Sequence, residues 1–209
     1  MAIQELVWDM DGTLLDTTVV VPAAFVRAVR KLGGRSVSPD RVVAAYSRGT
    51  PEVILAHLVG RDLTVEETEV YYTELQDVEV APYPGVVDVM RALREQGRVA
   101  AVFTGASSRA AAMLLKAAGL DTDVLVGGDH VPNPKPAADG LLLAAAQVGV
   151  EATALAYVGD SPLDLRTAAA AGSHRAAASW GHMYDGSEPA DSILARPEQA
   201  LDLFELSLE

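Results

Sequence analysis

Cysteine is absent from the 209 residues, which excludes disulfide bonds, thiolate metal sites and cysteine nucleophiles and permits a reducing compartment. The N-terminus also lacks a basic segment followed by a long apolar one, so no signal peptide is predicted. The longest apolar stretch, residues 141–159, is interrupted by Gly149, Glu151 and Thr153 and is interpreted as a helix, a turn and a strand. Together these absences predict a cytoplasmic protein with no membrane-spanning segment.

Basic residues are scarce. Sixteen Lys and Arg stand against 29 Asp and Glu, which gives a formal net charge of −13. This balance argues against nucleic acid or an anionic membrane as a partner. A small anionic ligand remains compatible with it, because charges more than roughly 8 Å away are screened at physiological salt and the local site decides. Hydrophobic residues make up 50% of the chain, enough for the core of one or two domains, and both a monomer and a homodimer are compatible with the sequence.

Several common ligand-binding motifs are missing. The chain contains neither a Gly-Lys-Ser/Thr phosphate loop nor a Gly-x-Gly-x-x-Gly turn. A calcium loop counted from Asp9 would need Gly at its sixth position and Glu at its twelfth, whereas Gly stands fourth and Val20 twelfth. Trp8 is predicted to be a core residue. The histidines show no ligand or triad spacing and are predicted to be structural or surface residues; they are His57, His130, His174 and His182.

From residue 84 onward, apolar runs that suit strands alternate with amphipathic helical patterns. After a first strand at 2–8, strands are predicted at 98–105, 123–128, 154–160 and 174–180, with a last edge strand at 190–194. Helices are predicted at 84–97, 107–119, 136–149, 162–172 and 197–206. Buried strands alternating with helices predict an α/β fold, in which a parallel sheet is covered on both faces in three layers.

Residues 17–82 follow a different pattern. Four stretches show helical spacing and none is a convincing strand, which indicates a helical cap inserted after the first strand of the sheet domain. We therefore expect a core formed by residues 1–16 and 83–209 and a cap formed by residues 17–82. The hinges are expected at 83–85 and just after Asp16.

Four polar clusters fall at the carboxyl ends of predicted strands or just beyond them, at residues 9–11, 104–107, 133–136 and 159–164. Ligands of open α/β sheets bind at that edge. Any one cluster has a structural explanation, since Ser107 and Ser161 are ordinary helix caps and Asp164 suits a first helical turn. Four clusters on one edge are better explained by a binding site.

The chemistry that fits these residues is phosphoryl transfer. Asp9 and Asp11 lie two residues apart in nearly extended chain, so their side chains can point the same way about 7 Å apart. Asp9 would attack phosphorus, and Asp11 would protonate the leaving oxygen and then activate water. Asp160 would complete a Mg²⁺ site with Asp9 and a backbone carbonyl. The phosphoryl oxygens would be held by Thr104, by Lys135 and by the helix N-terminus that follows Gly105.

These clusters resemble the four motifs of the haloacid dehalogenase superfamily: WDMDGTLLDT at 8–17, TGAS at 104–107, PKP at 134–136 and GDSPLDL at 159–165. Residues 84–97 and 158–172 are also similar to the phosphoglycolate phosphatase-like branch. The resemblance implies a Rossmann-like core and a small helical cap inserted after the first motif. The third motif departs from its usual form, because Pro134 precedes Lys135 and Ala138 replaces a proline, although Asp139 matches.

Residue by residue, the resemblance implies Asp9 as nucleophile and Asp11 as acid and base. Phosphate binding is assigned to Thr104 and Lys135, together with Gly12, Gly105 and Ala106. The metal site is assigned to Asp9, Asp11, Asp160 and Asp164, where Asp164 is either a ligand or a residue that holds the ligands in place. Arg48, in a glycine-containing loop of the cap, could reach a second anionic group of the substrate.

The resulting hypothesis is a Mg²⁺-dependent phosphatase acting on a small phosphorylated metabolite, such as phosphoglycolate, a sugar phosphate or a nucleoside monophosphate. Dehalogenase activity is disfavoured, because dehalogenase members lack the acid at the position of Asp11. Phosphonate cleavage is disfavoured as well, because it needs a Schiff-base lysine from the cap, where Lys31 is the only lysine and lies on a polar helix face. A sugar phosphomutase and a non-catalytic metal- or phosphate-binding protein remain as alternatives.

Overall fold

A six-stranded parallel sheet lies at the centre of the computed structural model, which describes residues 2–205. In chain order the strands are β1 (Glu5–Trp8), β2 (Leu15–Asp16), β3 (Ala81–Pro82), β4 (Ala101–Phe103), β5 (Val124–Val126), β6 (Leu155–Gly159), β7 (His174–Ala178) and β8 (Ser192–Leu194). The order across the sheet is β5-β4-β1-β6-β7-β8, with every neighbouring pair parallel. The strands β2 and β3 form a separate antiparallel pair.

Helices flank this sheet and form the segment between β2 and β3. In chain order they are α1 (Val20–Lys31), α2 (Pro39–Val43), α3 (Pro51–Val59), α4 (Val65–Glu74), α5 (Val86–Glu95), α6 (Ser108–Ala117), α7 (Asp139–Val148) and α8 (Pro162–Ala171). Short 3₁₀ helices span Tyr46–Arg48, Gly128–His130, Ala152–Ala154 and Pro197–Glu205. Along residues 2–205, no helix is both long enough and apolar enough to cross a lipid bilayer.

The two faces of the sheet bury different side chains, as the two-residue period of a strand requires. Leu6 and Trp8 of β1 belong to a core that also contains residues of α5 and α6. Val7 points to the other face and belongs to a second core, built with Tyr157 and with Leu141 of α7. Burial on both faces explains why these strands are continuously apolar. The predicted three-layer Rossmann-like α/β class is confirmed, and so is Trp8 as a core residue, with no exposed surface.

The order in which the chain adds strands to the sheet reverses at β1, which fixes where a ligand can bind. From β1 the chain proceeds to β4 and β5 on one side, and β6, β7 and β8 then occupy the other side. Such a switch leaves a crevice outside the carboxyl end of the central strand. Here that crevice lies between β4 and β6, at the residues that follow Trp8.

The helices α1 to α4 lie between β2 and β3, as an inserted helical cap should. The helix α1 packs on α4, where the rings of Phe25 and Tyr71 stack with centroids 4.2 Å apart. The cap touches the core where the Tyr72 hydroxyl lies 2.9 Å from the Ser107 Oγ. The boundaries at 16/17 and 82/83 stay a prediction.

Three elements differ from the sequence-based expectations. The strands β2 and β3 were not predicted; Leu15 pairs with Pro82 and Asp16 with Ala81, next to the expected hinges. Each strand has only two residues, too few to show an alternating pattern. The final segment, expected as a helix over 197–206, is a 3₁₀ helix over Pro197–Glu205, and position 206 lies outside the described residues.

Candidate active site

Asp9 follows the last residue of β1 and is buried in the crevice, where its backbone N–H donates to the Val158 carbonyl at 2.8 Å. Its Oδ1 accepts a hydrogen bond from the Nζ of Lys135 at 2.7 Å. Burial raises the pKa of Asp9 well above its usual range, the charge of Asp164 adds to the increase, and Lys135 opposes it. Asp9 is therefore a buried carboxyl group that forms an ion pair with the ammonium group of Lys135.

Lys135 lies in the loop between β5 and α7, with its side chain only 9% exposed. Its Nζ also donates to Asp164 Oδ1 at 2.6 Å and stands 4.9 Å and 5.1 Å from the ring centroids of Phe103 and Tyr157. Burial alone would lower the pKa of Lys135, but the adjacent carboxylates outweigh it and raise that pKa. This lysine is a buried ammonium ion between two carboxylates.

Asp160 and Asp164 bring two further carboxylates to the same place. Asp160 directly follows β6, and its Oδ2 accepts from the Met183 backbone amide at 2.9 Å. Asp164 lies in the first turn of α8, where it forms a capping box with Ser161. The Tyr157 hydroxyl lies 2.8 Å from the Phe103 carbonyl oxygen and 3.3 Å from Asp164 Oδ1, and it can donate its one proton to either acceptor. Burial raises the pKa of Asp160 to about 7. The hydrogen bond from the Met183 amide opposes this increase, and the charge of Asp164 adds to it.

These carboxylates fit a divalent cation. Asp9, Asp160 and Asp164 each offer an oxygen within 4.8 Å of the others. The Oδ1 of Asp160 is buried and has no hydrogen-bond partner among the described residues, which is an unsatisfied acceptor that a cation would satisfy. Hard carboxylate oxygens are what Mg²⁺ prefers. The Asp11 carboxylate, which the resemblance also assigned to the metal, is not a member of this trio.

Asp11 faces Thr104 across the crevice. Thr104 follows β4 and is buried, and its Oγ1 donates to Asp11 Oδ2 at 3.4 Å while accepting from the Ala106 backbone N–H at 3.2 Å. Burial raises the pKa of Asp11, although a hydrogen bond from Thr17, the charge of Lys135 and the hydrogen bond from Thr104 oppose it. A raised pKa favours the protonated form that a general acid needs.

Two glycines allow the loops to close around Asp160. Gly12 has a φ of +84°, and a Cβ there would lie 2.3 Å from Asp160 Oδ2. A Cβ on Gly181 would lie 2.2 Å from the Asp160 Cβ and 2.4 Å from the Gly12 carbonyl oxygen. Both positions therefore require glycine for steric reasons.

A cavity of about 300 Å³ opens from these residues toward the cap. Of the predicted site residues, those that line it are Asp9, Asp11, Thr104, Gly105, Ala106, Lys135, Asp160 and Asp164. Gly12, which was predicted to bind phosphate, does not line it and lies against the Asp160 carboxylate. Arg48 is exposed and does not line it either, although its neighbours Ser47 and Gly49 do. A role for Arg48 in substrate binding stays a prediction.

The structure adds residues that the sequence did not single out. Tyr157 lies under Lys135 and hydrogen-bonds Asp164, and Tyr46 and Tyr71 line the cap side of the cavity.

His182, expected as a structural or surface residue, is exposed but lines the cavity, with its Nδ1 3.9 Å from Asp160 Oδ2. One signal could have indicated it: the sequence GHM follows β7, and the carboxyl ends of parallel strands meet at one edge. His174 is structural as predicted, since its Nε2 hydrogen-bonds Ser192 Oγ at 2.9 Å.

Comparison with known proteins gives one consistent result. Residues 6–178 match the family model of haloacid dehalogenase-like hydrolases. The N-acetylmuramic acid 6-phosphate phosphatase of Pseudomonas aeruginosa is 28% identical over 221 aligned residues, which cover 100% of this chain and 97% of that protein. The phosphoglycolate phosphatase of Xanthomonas campestris pv. campestris is 31% identical over 205 residues, 93% of each chain.

Among solved structures, CbbY from Rhodobacter sphaeroides in complex with phosphate superposes with a TM-score of 0.82. The match covers 99% of this chain and 100% of that one at 21% sequence identity, so it supports the fold. The chain belongs to the haloacid dehalogenase-like hydrolase family, in its phosphoglycolate phosphatase-like branch.

Proposed function

We propose that this protein is a Mg²⁺-dependent phosphatase that hydrolyses a small phosphomonoester through an aspartyl-phosphate intermediate on Asp9. Membership of the family and its phosphatase relatives make the chain a phosphoric monoester hydrolase. The observation that carries the proposed mechanism is the buried contact between Asp9 and Lys135 at 2.7 Å, at the base of the cavity, with Asp160 and Asp164 beside it.

In the first step Asp9 attacks phosphorus, and the bond from phosphorus to the ester oxygen breaks as the bond to Asp9 forms. Asp11 gives its proton to the departing ester oxygen, which leaves as an alcohol. In the second step Asp11 takes a proton from a water molecule that attacks phosphorus, so that phosphate and free Asp9 are released. The raised pKa of Asp11 suits a group that begins the cycle protonated.

Positive charge must oppose the two carboxylates and the phosphoryl group. Lys135 supplies one charge directly on Asp9, and the N-terminus of α6, beginning after Thr104, Gly105 and Ala106, supplies hydrogen-bond donors for phosphoryl oxygens. Asp9, Asp160 and Asp164, with a backbone carbonyl, are the groups we assign to hold Mg²⁺. When bound, Mg²⁺ would neutralise charge on the phosphoryl oxygens.

The test is phosphate release from a panel that contains phosphoglycolate, sugar phosphates and nucleoside monophosphates, measured with Mg²⁺ and with EDTA. We expect metal-dependent release that the Asp9→Asn variant abolishes while its circular dichroism spectrum stays unchanged. Quenching a turnover reaction with borohydride should convert the phosphorylated aspartate to homoserine in the peptide that contains residue 9. Normal activity of Asp9→Asn, or homoserine at another position, would refute the mechanism.

A further inference from the structure

The cap wall of the cavity is uncharged. Twelve residues of the 17–82 segment line the cavity, and all of them are apolar, hydroxyl-bearing or glycine. Its apolar part includes Val21, Phe25 and Ile54, all buried, and Phe25 stacks on Tyr71. The polar atoms that this wall offers come from the hydroxyl groups of threonine, serine and tyrosine residues.

The basic residues of the cap are placed elsewhere. Arg27 and Lys31 both pair with Glu74, and Arg61 pairs with Glu67. Arg48 is exposed and does not line the cavity. None of the seven arginine and lysine residues in 17–82 lines the cavity.

The basic side chains on the core side of the cavity lie beside the aspartates at its base. Within the described chain, Lys135 and His182 are the basic side chains that line the cavity. Lys135 is held between Asp9 and Asp164, and His182 is exposed and lies 3.9 Å from Asp160. Neither belongs to the cap wall that would surround the part of the substrate beyond the phosphoryl group.

Resting on the phosphatase function proposed above, we infer that the substrate's leaving group is an uncharged alcohol with an apolar or aromatic face. An ester bearing a carboxylate or a second phosphate would place that charge against the cap wall with no counter-charge, and burial of an unpaired charge is strongly unfavourable. The cluster of aspartates at the base of the cavity would repel it further. The cavity volume of about 300 Å³ lies at the lower end for small-molecule sites and limits the alcohol to a small one. This chemistry separates the chain from relatives named for phosphoglycolate, whose leaving group carries a carboxylate.

A matched pair of esters tests the inference. Benzyl phosphate and 4-carboxybenzyl phosphate share the ester linkage and differ in one remote carboxylate. With the wild-type protein and Mg²⁺, we expect kcat/KM for benzyl phosphate to exceed that for the carboxylated ester roughly tenfold or more. Calorimetric binding of both esters to the Asp9→Asn variant should give the same order without turnover.

Two cap variants make the test specific. Ser47 is exposed and lines the cavity, so Ser47→Arg adds a cation with little risk to the fold, and we expect it to narrow or reverse the preference for benzyl phosphate. Ser36→Arg is the matched control, because Ser36 is an exposed serine of the cap that does not line the cavity, so the variant adds the same charge outside it. It should leave the ratio of the two esters unchanged.

The outcomes separate the inference from the function on which it rests. Equal or better binding and turnover of the carboxylated ester by wild type would overturn the inference and leave the phosphatase function standing. Hydrolysis of no ester would overturn the phosphatase function, and the binding order on Asp9→Asn would still decide whether the cavity rejects a charged leaving group. An equal change of the preference in Ser36→Arg would also overturn the inference, because the discrimination would then respond to the charge of the molecule and not to the cavity wall.

Discussion

At the scale of single residues, the position of Asp160 depends on the absence of side chains at the glycines that pack against it. Gly181 has no side chain where a Cβ would meet both Asp160 and the Gly12 carbonyl. We expect Gly181→Ala to displace Asp160 and to lower kcat/KM about 100-fold, because misplacing a catalytic group by roughly 1 Å can cost that much. The measurement is steady-state kinetics at saturating Mg²⁺.

Gly97→Ala is the matched control for this variant. Gly97 has a φ of +70°, and a Cβ there would meet nothing within 4 Å. The control should lose about 1 kcal/mol of stability through backbone strain and keep the wild-type kcat/KM. Wild-type kcat/KM in Gly181→Ala would show that Asp160 tolerates the displacement and would contradict the steric argument.

Three of the predicted site residues that line the cavity directly follow strands. Asp9, Thr104 and Asp160 come directly after apolar runs, so the edge rule for parallel sheets brings them together without tertiary information. The cap tyrosines were not predicted, because their distance from the site depends on how the cap helices fold back, and spacing along the chain does not indicate that distance. Gly181 was missed as well, although it follows β7 and the same edge rule could have indicated it.

At the scale of elements, Glu74 joins α4 to α1. Its carboxylate accepts from the Nζ of Lys31 at 2.6 Å and from Arg27, and only 9% of its side chain is exposed. Burial alone would raise the pKa of Glu74, but the hydrogen bonds from Lys31 and Arg27 outweigh it and lower that pKa. Because the folded pKa lies below the unfolded one, the pair stabilises the protein fully above the usual value of 4.5 and less as the pH falls below it.

We therefore expect Glu74→Gln to lower the free energy of unfolding at pH 7 by about 1 kcal/mol, since both cations are partly exposed. The difference from wild type should shrink as the pH is lowered through the folded pKa of Glu74. Urea denaturation at several pH values between 3 and 7 measures this difference in the free energy of unfolding.

Glu79→Gln is the control, because Glu79 is exposed and forms no ion pair within residues 2–205. A difference that persists unchanged at low pH would contradict the charge-based explanation.

Most elements were predictable because each has a period and a boundary signal. The helix α8 has Ser161 before it, Pro162 at its start and Gly172 after it, and its bounds follow from these residues. The pair β2–β3 was not predictable, because two residues per strand contain no pattern and the partners are more than sixty positions apart. Their pairing is a property of the assembled fold.

At the scale of the whole molecule, a net charge of −13 coincides with a site that concentrates buried carboxylates. Burial raises the pKa of both Asp9 and Asp160, which means that the charged carboxylates at this edge of the sheet destabilise the folded state. Lys135 offsets only part of it. A cation that binds the folded state and not the unfolded chain should therefore stabilise the entire protein.

We expect Mg²⁺ to raise the melting temperature, measured by scanning calorimetry against an EDTA-treated sample. At a concentration 100 times its dissociation constant, the linkage is worth about 2.7 kcal/mol. For a chain of this length each kcal/mol corresponds to about 2–4 °C, so the shift should be about 5–10 °C. Asp160→Asn should remove most of it, whereas Asp62→Asn, an exposed carboxylate outside the cavity, should keep it. An equal shift in Asp160→Asn would place the stabilising cation elsewhere on this acidic molecule and would refute the assignment of the metal to Asp9, Asp160 and Asp164.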